Sequence, residues 1–332
     1  MSIPSSIPIL DSIASCREWR NKAFDEKKSV GFIPTMGALH AGHLSLVRRS
    51  LVENDLTVVS IFVNPAQFAP HEDLRAYPRA LPQDLERLET QRVTIANVER
   101  TPSAVFVPAI PDMYPSGIDQ DVARQKGAFV ELTGYSHQME GTSRPTFFRG
   151  VATVVTKLFN IVQPTSAYFG QKDIQQALLL RKMCRDLFFA YPTADQVHIV
   201  PTERDPVDGL ALSSRNVYLS ADERPFAVTL YRALQAAESV WVQGATKKEC
   251  ISAALAVVEQ GTGQAASKGV AMELDYIEMS DSRTFEVLDD GEHQQSKLLG
   301  EDPVILSGAM WVGKTRLIDN IVIGDISSAL LV

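Results

Sequence analysis

The stretch Val30-Gly-Phe-Ile33-Pro34-Thr-Met36-Gly37-Ala-Leu-His40-Ala-Gly42-His43, continued as Leu44-Ser-Leu-Val47-Arg-Arg-Ser-Leu51-Val-Glu53, decides the fold. Residues 30–33 are apolar and rich in β-branched and aromatic side chains, the pattern of a strand buried on both faces. From residue 40 to 53 the period changes, and Leu44, Val47 and Leu51 share one helical face. Gly37 and Gly42 allow a tight backbone path between the two. The spacing predicts a strand, a Gly turn and a helix whose first turn carries His40 and His43 on one side.

Outward from this unit the alternation repeats. Strands are predicted at 57–63, 104–107, 167–169 and 197–200, and helices at 84–93, 150–162 and 174–188. Such alternation gives an α/β fold, a Rossmann-like doubly wound parallel sheet with ligands outside the carboxyl ends of its strands. After about residue 201 the order becomes two helices and then strands. Ser220-Ala-Asp-Glu223 reads as a capping box opening a helix through Trp241. A helix over 247–259 follows, then strands at 273–279, 304–307 and 316–323. The expected organisation is a Rossmann-like domain over 1–202 and a smaller α+β domain over 203–332. Segments 111–137 and 289–303 are rich in Pro, Gly and polar residues and read as mobile surface insertions.

Composition narrows the function. With 332 residues, 45% hydrophobic and 22% charged, the chain can bury the core of two ordinary domains. A net charge of −8 argues against a general nucleic-acid or anionic-membrane surface, while leaving room for a local basic pocket. Cys16, Cys184 and Cys250 form neither a disulfide framework nor a CxxC metal pattern, and read as reduced thiols. No secretory leader and no membrane-length apolar run is seen, so a soluble, cytoplasmic protein is expected. An oxidoreductase is disfavoured because no GxGxxG follows the first strand. Residues 308–315, Gly308 to Thr315, formally fit the Walker A pattern. A P-loop needs a helix after it, however, and 316–323 reads as another strand, so no phosphate role is assigned there.

The HxGH of residues 40–43 is the strongest chemical signal. A helix N-terminus offers unpaired amides and the positive end of its dipole, a place suited to phosphate. Imidazoles there can donate hydrogen bonds that strengthen as charge builds in a transition state. The bland alternative is two polar histidines decorating a helix start.

H-x-G-H resembles the HIGH signature of the nucleotidyltransferase superfamily, whose members attack the α-phosphate of a nucleotide. Phe62-Val-Asn64-Pro-Ala-Gln67-Phe, Glu72-Asp-Leu and Tyr77-Pro-Arg resemble the pantoate-side loop of the pantothenate synthetases. Phe169-Gly170-Gln-Lys172-Asp173-Ile-Gln-Gln176 is similar to their FGEKDxQQ block. Asp208-Gly-Leu-Ala-Leu212-Ser213-Ser214-Arg215-Asn216 is close to DGLAxSSRN, and Arg316-Leu-Ile-Asp-Asn320 completes an ordered set spanning nearly the whole chain.

The resemblance implies an ATP-dependent ligase that joins pantoate to β-alanine through a pantoyl adenylate, with Mg²⁺ on the ATP and no fixed protein metal site. It implies catalytic roles for His40, His43, Lys172, Ser213, Ser214 and Arg215. ATP would be bound by Pro34, Met36, Gly42, His43, Gly170, Lys172, Asp173, Leu212, Ser213, Ser214 and Arg215. Pantoate would be bound by Met36, Asn64, Gln67 and Gln176. A homodimer, a eukaryotic (fungal-like) member and a small domain closing over the site are further implications. Taken singly, Lys172 could be a solvated surface lysine, Arg215 half of a surface ion pair, and Gln176 part of a capping box with Asp173. Four departures stand out: Gln171 where the family has Glu, Phe147-Phe148 where it has His-Phe, one extra residue around 202–208, and the two insertions, which read as a eukaryotic elaboration. Another small-molecule adenylyltransferase explains His40 and His43 but not the NPxQF and KDxQQ blocks together. A silent scaffold predicts decay at His43, Lys172, Asp173 and Arg215, yet all four are present.

Overall fold

Strand β2 (Val30–Thr35) is the hub of the computed structural model, which describes residues 5–69, 74–294, 303–326 and 329. By its contacts the chain divides into Met1–Gly170 with Gln175–Val200, and Gln171–Ile174 with Pro201–Val332.

In the first unit the order is β1 (Ile9–Leu10), α1 (Ile13–Asp25), β2, α2 (Ala41–Glu53), β3 (Leu56–Ile61) and α3 (Leu81–Glu89). There follow a hairpin of β4 (Val93–Ile95) and β5 (Val98–Arg100), β6 (Ala104–Phe106), and the short helices α4 (Ile110–Met113) and α5 (Glu140–Ser143). The unit closes with α6 (Phe147–Val162), β7 (Ser166–Gly170), α7 (Ile174–Asp186) and β8 (Val197–Val200). Six parallel strands run in the order β1-β6-β3-β2-β7-β8. Chain order therefore reverses between β2 and β7, the switch point at which a doubly wound sheet opens a crevice. These two strands pair only at Gly31–Ser166 and Phe32–Ala167, so beyond Phe32 no ladder joins them.

Alternate residues of β2 face opposite layers. Ile33 joins Leu46, Val47 and Leu51 of α2 and Leu85 and Leu88 of α3 in one core. Phe32, on the other face, meets Phe159 of α6 edge-on at 6.3 Å between ring centroids. Each of these side chains is buried, which at roughly 1.5–3 kcal/mol per large apolar residue dominates the sheet's stability.

The second unit holds α8 (Thr229–Trp241), α9 (Lys247–Ala266) and a three-stranded antiparallel sheet, β11-β10-β9. Its strands are β9 (Met272–Asp281), β10 (Val304–Val312) and β11 (Thr315–Ile323), with Leu230, Leu234 and Trp241 of α8 buried in the core beneath.

The predicted strands and helices of the first unit are present, with shifted ends. Helix α3 ends at Glu89 because Val93–Ile95 pairs with Val98–Arg100 across the left-handed Ala96 and Asn97. Ser220 and Glu223 do exchange capping hydrogen bonds, yet the helix proper begins only at Thr229. Pro225 has no N–H for the carbonyl four residues back, and a 3₁₀ turn over Arg224–Phe226 intervenes. Helix α9 runs past the expected 259 to Ala266, since Gly261 serves the close approach of Thr229 rather than a stop. The Walker-like stretch is a hairpin: Val304–Val312, a turn at Gly313-Lys314, then Thr315–Ile323. The segment 111–137 is not a loose insertion. Met113, Tyr114 and Leu132 are buried, the Val130 N–H donates to Thr153 Oγ1, and Arg149 lies 3.9 Å from the Phe129 ring centroid. Most of the 289–303 segment, and Glu72-Asp73 of the pantoate-side loop, lie outside the described residues.

Candidate active site

Helix α2 begins directly after the Gly37 turn, and its cap is built from the two histidines. His40 stands at the N-cap in extended conformation, and its Nδ1 accepts the Gly42 N–H at 3.1 Å. His43 Nδ1 accepts the His40 N–H at 3.4 Å. The rings lie 4.1 Å apart between centroids. Because both Nδ1 atoms accept backbone hydrogens, each neutral ring carries its proton on Nε2, the atom that can donate to an anion. The Gly42 N–H is thereby engaged and orients the His40 ring.

A carboxylate missed in the sequence holds this turn. Asp84 of α3, fully buried, accepts the Ala38 N–H at 2.9 Å and the Leu39 N–H at 2.7 Å. Arg87, one turn on, donates to the Leu39 carbonyl. Burial raises the Asp84 carboxyl above its ordinary range, against the pull of the two amides and Arg87. Gly37 and Ala38 have φ of +84° and +51°, and a Cβ at Gly37 would sit 3.1 Å from Asp84 Oδ2. The left-handed turn and the carboxylate are therefore fitted to one another. Only a buried charge in the folded chain reveals Asp84; in the sequence it reads as an ordinary helix-start acid.

Pro34 and Met36 are half-buried at the end of β2 and in the turn after it. Gln67 ends a 3₁₀ turn, Pro65–Gln67, capped by Asn64. Asn64 is 1% exposed, and its amide donates to Gln67 Oε1 at 2.9 Å. Arg144 donates to the Gln67 carbonyl at 3.0 Å and lies 4.0 Å from the Phe147 ring centroid. Phe147, where the family's histidine was expected, thus braces Arg144. Gln176 is half-buried in the first turn of α7. Its neighbour Gln175 is buried and donates to the carbonyls of Tyr135 and Gln138.

The second unit gathers the cationic residues. Lys172, Ser213, Arg215 and Arg316 line one pocket with Tyr231 and Asp319, whereas Leu212 and Ser214 do not line it. Ser213 caps the short helix Ser214–Tyr218 by accepting the Arg215 N–H at 3.2 Å. Asp173 lies 3.9 Å from the Lys172 ammonium. Asn320 donates to the carbonyls of Gln171 and Lys172, both at 2.9 Å, and accepts from Gln171 Nε2 at 3.4 Å. Gln171, where the resemblance led one to expect Glu, therefore pairs with an amide. Arg204 grips Asp319 with two bonds of 2.7 and 2.9 Å, and Arg224 binds both Asp205 and Asp208. These pairs tie down the loop over 204–208. Arg224 holds the Asp208 carboxyl below its usual range.

Residues 8–322 match the family model described as pantoate-beta-alanine ligase. A pantothenate synthetase of Thermotoga neapolitana is 42% identical over 316 residues, 95% of this chain and 99% of that protein. A pantoate–β-alanine ligase of Saccharomyces cerevisiae is 41% identical, again over 95% and 99%. The expectation of a fungal-like member is not borne out, since bacterial relatives match as well as the yeast one. The crystal structure of pantothenate synthetase from Thermus thermophilus superposes with a TM-score of 0.76 at 38% identity, covering 95% of this chain and 99% of that one. The Francisella tularensis ligase, solved with β,γ-ATP and β-alanine, gives 0.67 at 32%, covering 95% and 97%.

Proposed function

Because the chain belongs to the pantoate–β-alanine ligase family, whose reaction forms pantothenate with ATP, we propose that it works through a pantoyl adenylate, as a member of the HIGH nucleotidyltransferases. The observation that carries this reading is the capped histidine pair at the start of α2, whose Nδ1 atoms both accept backbone hydrogens and so set two Nε2–H groups at a helix N-terminus.

In the first step a pantoate carboxylate oxygen attacks the α-phosphorus, the bond to the β-phosphate oxygen breaks, and pyrophosphate leaves. In the second, the neutral amine of β-alanine attacks the acyl carbon, the bond to AMP breaks, and the nitrogen loses a proton. Neither step needs a side-chain nucleophile. Placement of the reactants and neutralisation of developing charge supply the acceleration. His40 and His43 donate to phosphate oxygens. Lys172, Ser213 and Arg215 neutralise the departing pyrophosphate, with Ser214 at the same loop. Asp173 serves the ribose, and Pro34, Met36, Gly170 and Leu212 shape the nucleotide's bed. Gln67 and Gln176 bind pantoate against Met36.

Mg²⁺ enters as the counter-ion of ATP. Such an ion keeps much of its water and is held chiefly by phosphate oxygens. The protein is proposed to act as a cytoplasmic homodimer. The test is pantoate labelled with ¹⁸O in its carboxylate, incubated with β-alanine and Mg-ATP. One labelled oxygen in AMP supports the adenylate; ADP with labelled phosphate overturns it in favour of an acyl phosphate.

A further inference from the structure

Backbone groups fix the hydrogen-bond polarity of Asn64, and through it that of Gln67 and Tyr114. Asn64 Oδ1 accepts the Ala66 N–H at 3.3 Å, and its Nδ2 donates to the Gly150 carbonyl at 3.2 Å. An N–H can only donate and a carbonyl only accept, so the Asn64 amide has one permitted orientation. Its second Nδ2 hydrogen then points at Gln67 Oε1, 2.9 Å away. Gln67 must turn its oxygen inward, leaving the Nε2 hydrogens as the end it can present to a ligand.

Tyr114 locks this arrangement from behind. Its hydroxyl lies 2.6 Å from Asn64 Oδ1 and must donate to it. The ring is buried, stacks on Phe62 at 6.4 Å, and carries the Lys157 ammonium 3.9 Å from its centroid. Lys157 itself donates to the Met113 carbonyl at 2.6 Å, fixing the segment that bears Tyr114. Burial pushes the phenol well above its usual range, so the hydroxyl keeps its proton as a donor at neutral pH.

We propose that Tyr114 is a positioning residue for pantoate, acting through Asn64 to make Gln67 a hydrogen-bond donor only. This rests on the reading of Gln67 as a pantoate-binding residue. A donor-only amide selects ligand oxygens that accept, a carboxylate or an alcohol oxygen, and disfavours an ammonium group at the same place. The acid thereby enters this pocket and the amine does not.

Tyr114→Phe removes the hydroxyl and leaves Asn64 Oδ1 with the longer Ala66 bond alone. The KM for pantoate should rise about 5- to 30-fold, the KM for ATP staying within about twofold. Gln67→Glu keeps the bond from Asn64 but replaces the donor by a carboxylate, and should abolish pantoate binding measured by calorimetry. In the Gln67→Ala background, where weakened binding is still measurable, Tyr114→Phe should add little, since it acts only through that side chain. Asn64→Asp, which still accepts from Tyr114 but cannot donate to Gln67, gives a second route to the same loss if Tyr114→Phe folds poorly. If Gln67→Ala leaves pantoate binding intact, the pantoate reading of Gln67 fails. If Gln67→Ala weakens binding while Tyr114→Phe and Asn64→Asp do not, the positioning role fails. Retained pantoate binding in Gln67→Glu overturns the donor-only assignment.

Discussion

Gly150 lies in the first turns of α6, where the helix backbone meets the 3₁₀ turn that carries Gln67. A Cβ added there would fall 2.1 Å from the Ala66 carbonyl oxygen, 2.6 Å from its carbon and 3.1 Å from the Gln67 nitrogen. Carbon and oxygen atoms in contact sit more than 3 Å apart, so the two backbones must separate by roughly 1 Å. Helix α6 cannot retreat, because Phe148, Val151, Ala152 and Val155 are all buried behind it. The turn must yield instead, and it takes Gln67 and the Asn64–Gly150 hydrogen bond with it. A displacement of about 1 Å at a positioning group costs on the order of 100-fold in rate. Gly150→Ala should therefore lower kcat/KM for pantoate about 100-fold, and overpacking should remove about 1–3 kcal/mol of stability. The assay is AMP release at varied pantoate and saturating ATP and β-alanine, with a thermal melt in parallel. Gly263→Ala, where nothing lies within 4 Å of the new Cβ, is the control that should leave both unchanged or slightly improved. A folded Gly150→Ala protein with kcat/KM for pantoate within threefold of the parent refutes the argument that this contact sets the position of Gln67.

Other outcomes follow from single contacts. Asn320→Ala removes both hydrogen bonds to the carbonyls of Gln171 and Lys172. It should raise the KM for ATP about tenfold with little change for pantoate, and an unchanged KM for ATP in a folded variant speaks against Asn320 as the support of Lys172. Asp84 predicts opposite pH trends for activity and stability. Its carboxyl titrates above the ordinary value of about 4, so the native state holds its proton more readily than the unfolded chain. Stability from this group is therefore fullest below that value and declines as pH rises through the raised one. Activity runs the other way, because the protonated acid loses strength as acceptor for the Ala38 and Leu39 amides. Asp84→Asn should flatten both limbs in melts and in kcat/KM for ATP measured upward from about pH 4. An acid limb that survives the substitution assigns it to another group.

The alternation that built the first unit was legible because strand and helix periods differ and each apolar run is short. Strand β1 was not read, since two residues, Ile9 and Leu10, carry no period. The start of α8 was misplaced because a capping box reports a local hydrogen-bond exchange, while Pro225 decides whether a helix can propagate. The end of α9 was placed short of Ala266, which lies beyond Gly261, where the absent side chain lets Thr229 approach. At the site, the motif residues were legible as chemistry, and their supports were not. The sequence marks Asn64 as a motif residue but gives no sign of its burial or of its four protein partners. Asp84, Tyr114 and Asn320 act over sequence separations of 45, 50 and 148 residues, which no local pattern records.

The central claim is that pantoate's carboxylate takes the adenylyl group under the direction of His40 and His43. Exchange of labelled pyrophosphate into ATP, with Mg²⁺ and pantoate present and β-alanine omitted, tests it most directly. The account predicts exchange that requires pantoate and is mostly lost in His43→Ala. Exchange supported equally by unrelated acids, or none with pantoate while ATP still binds, contradicts it.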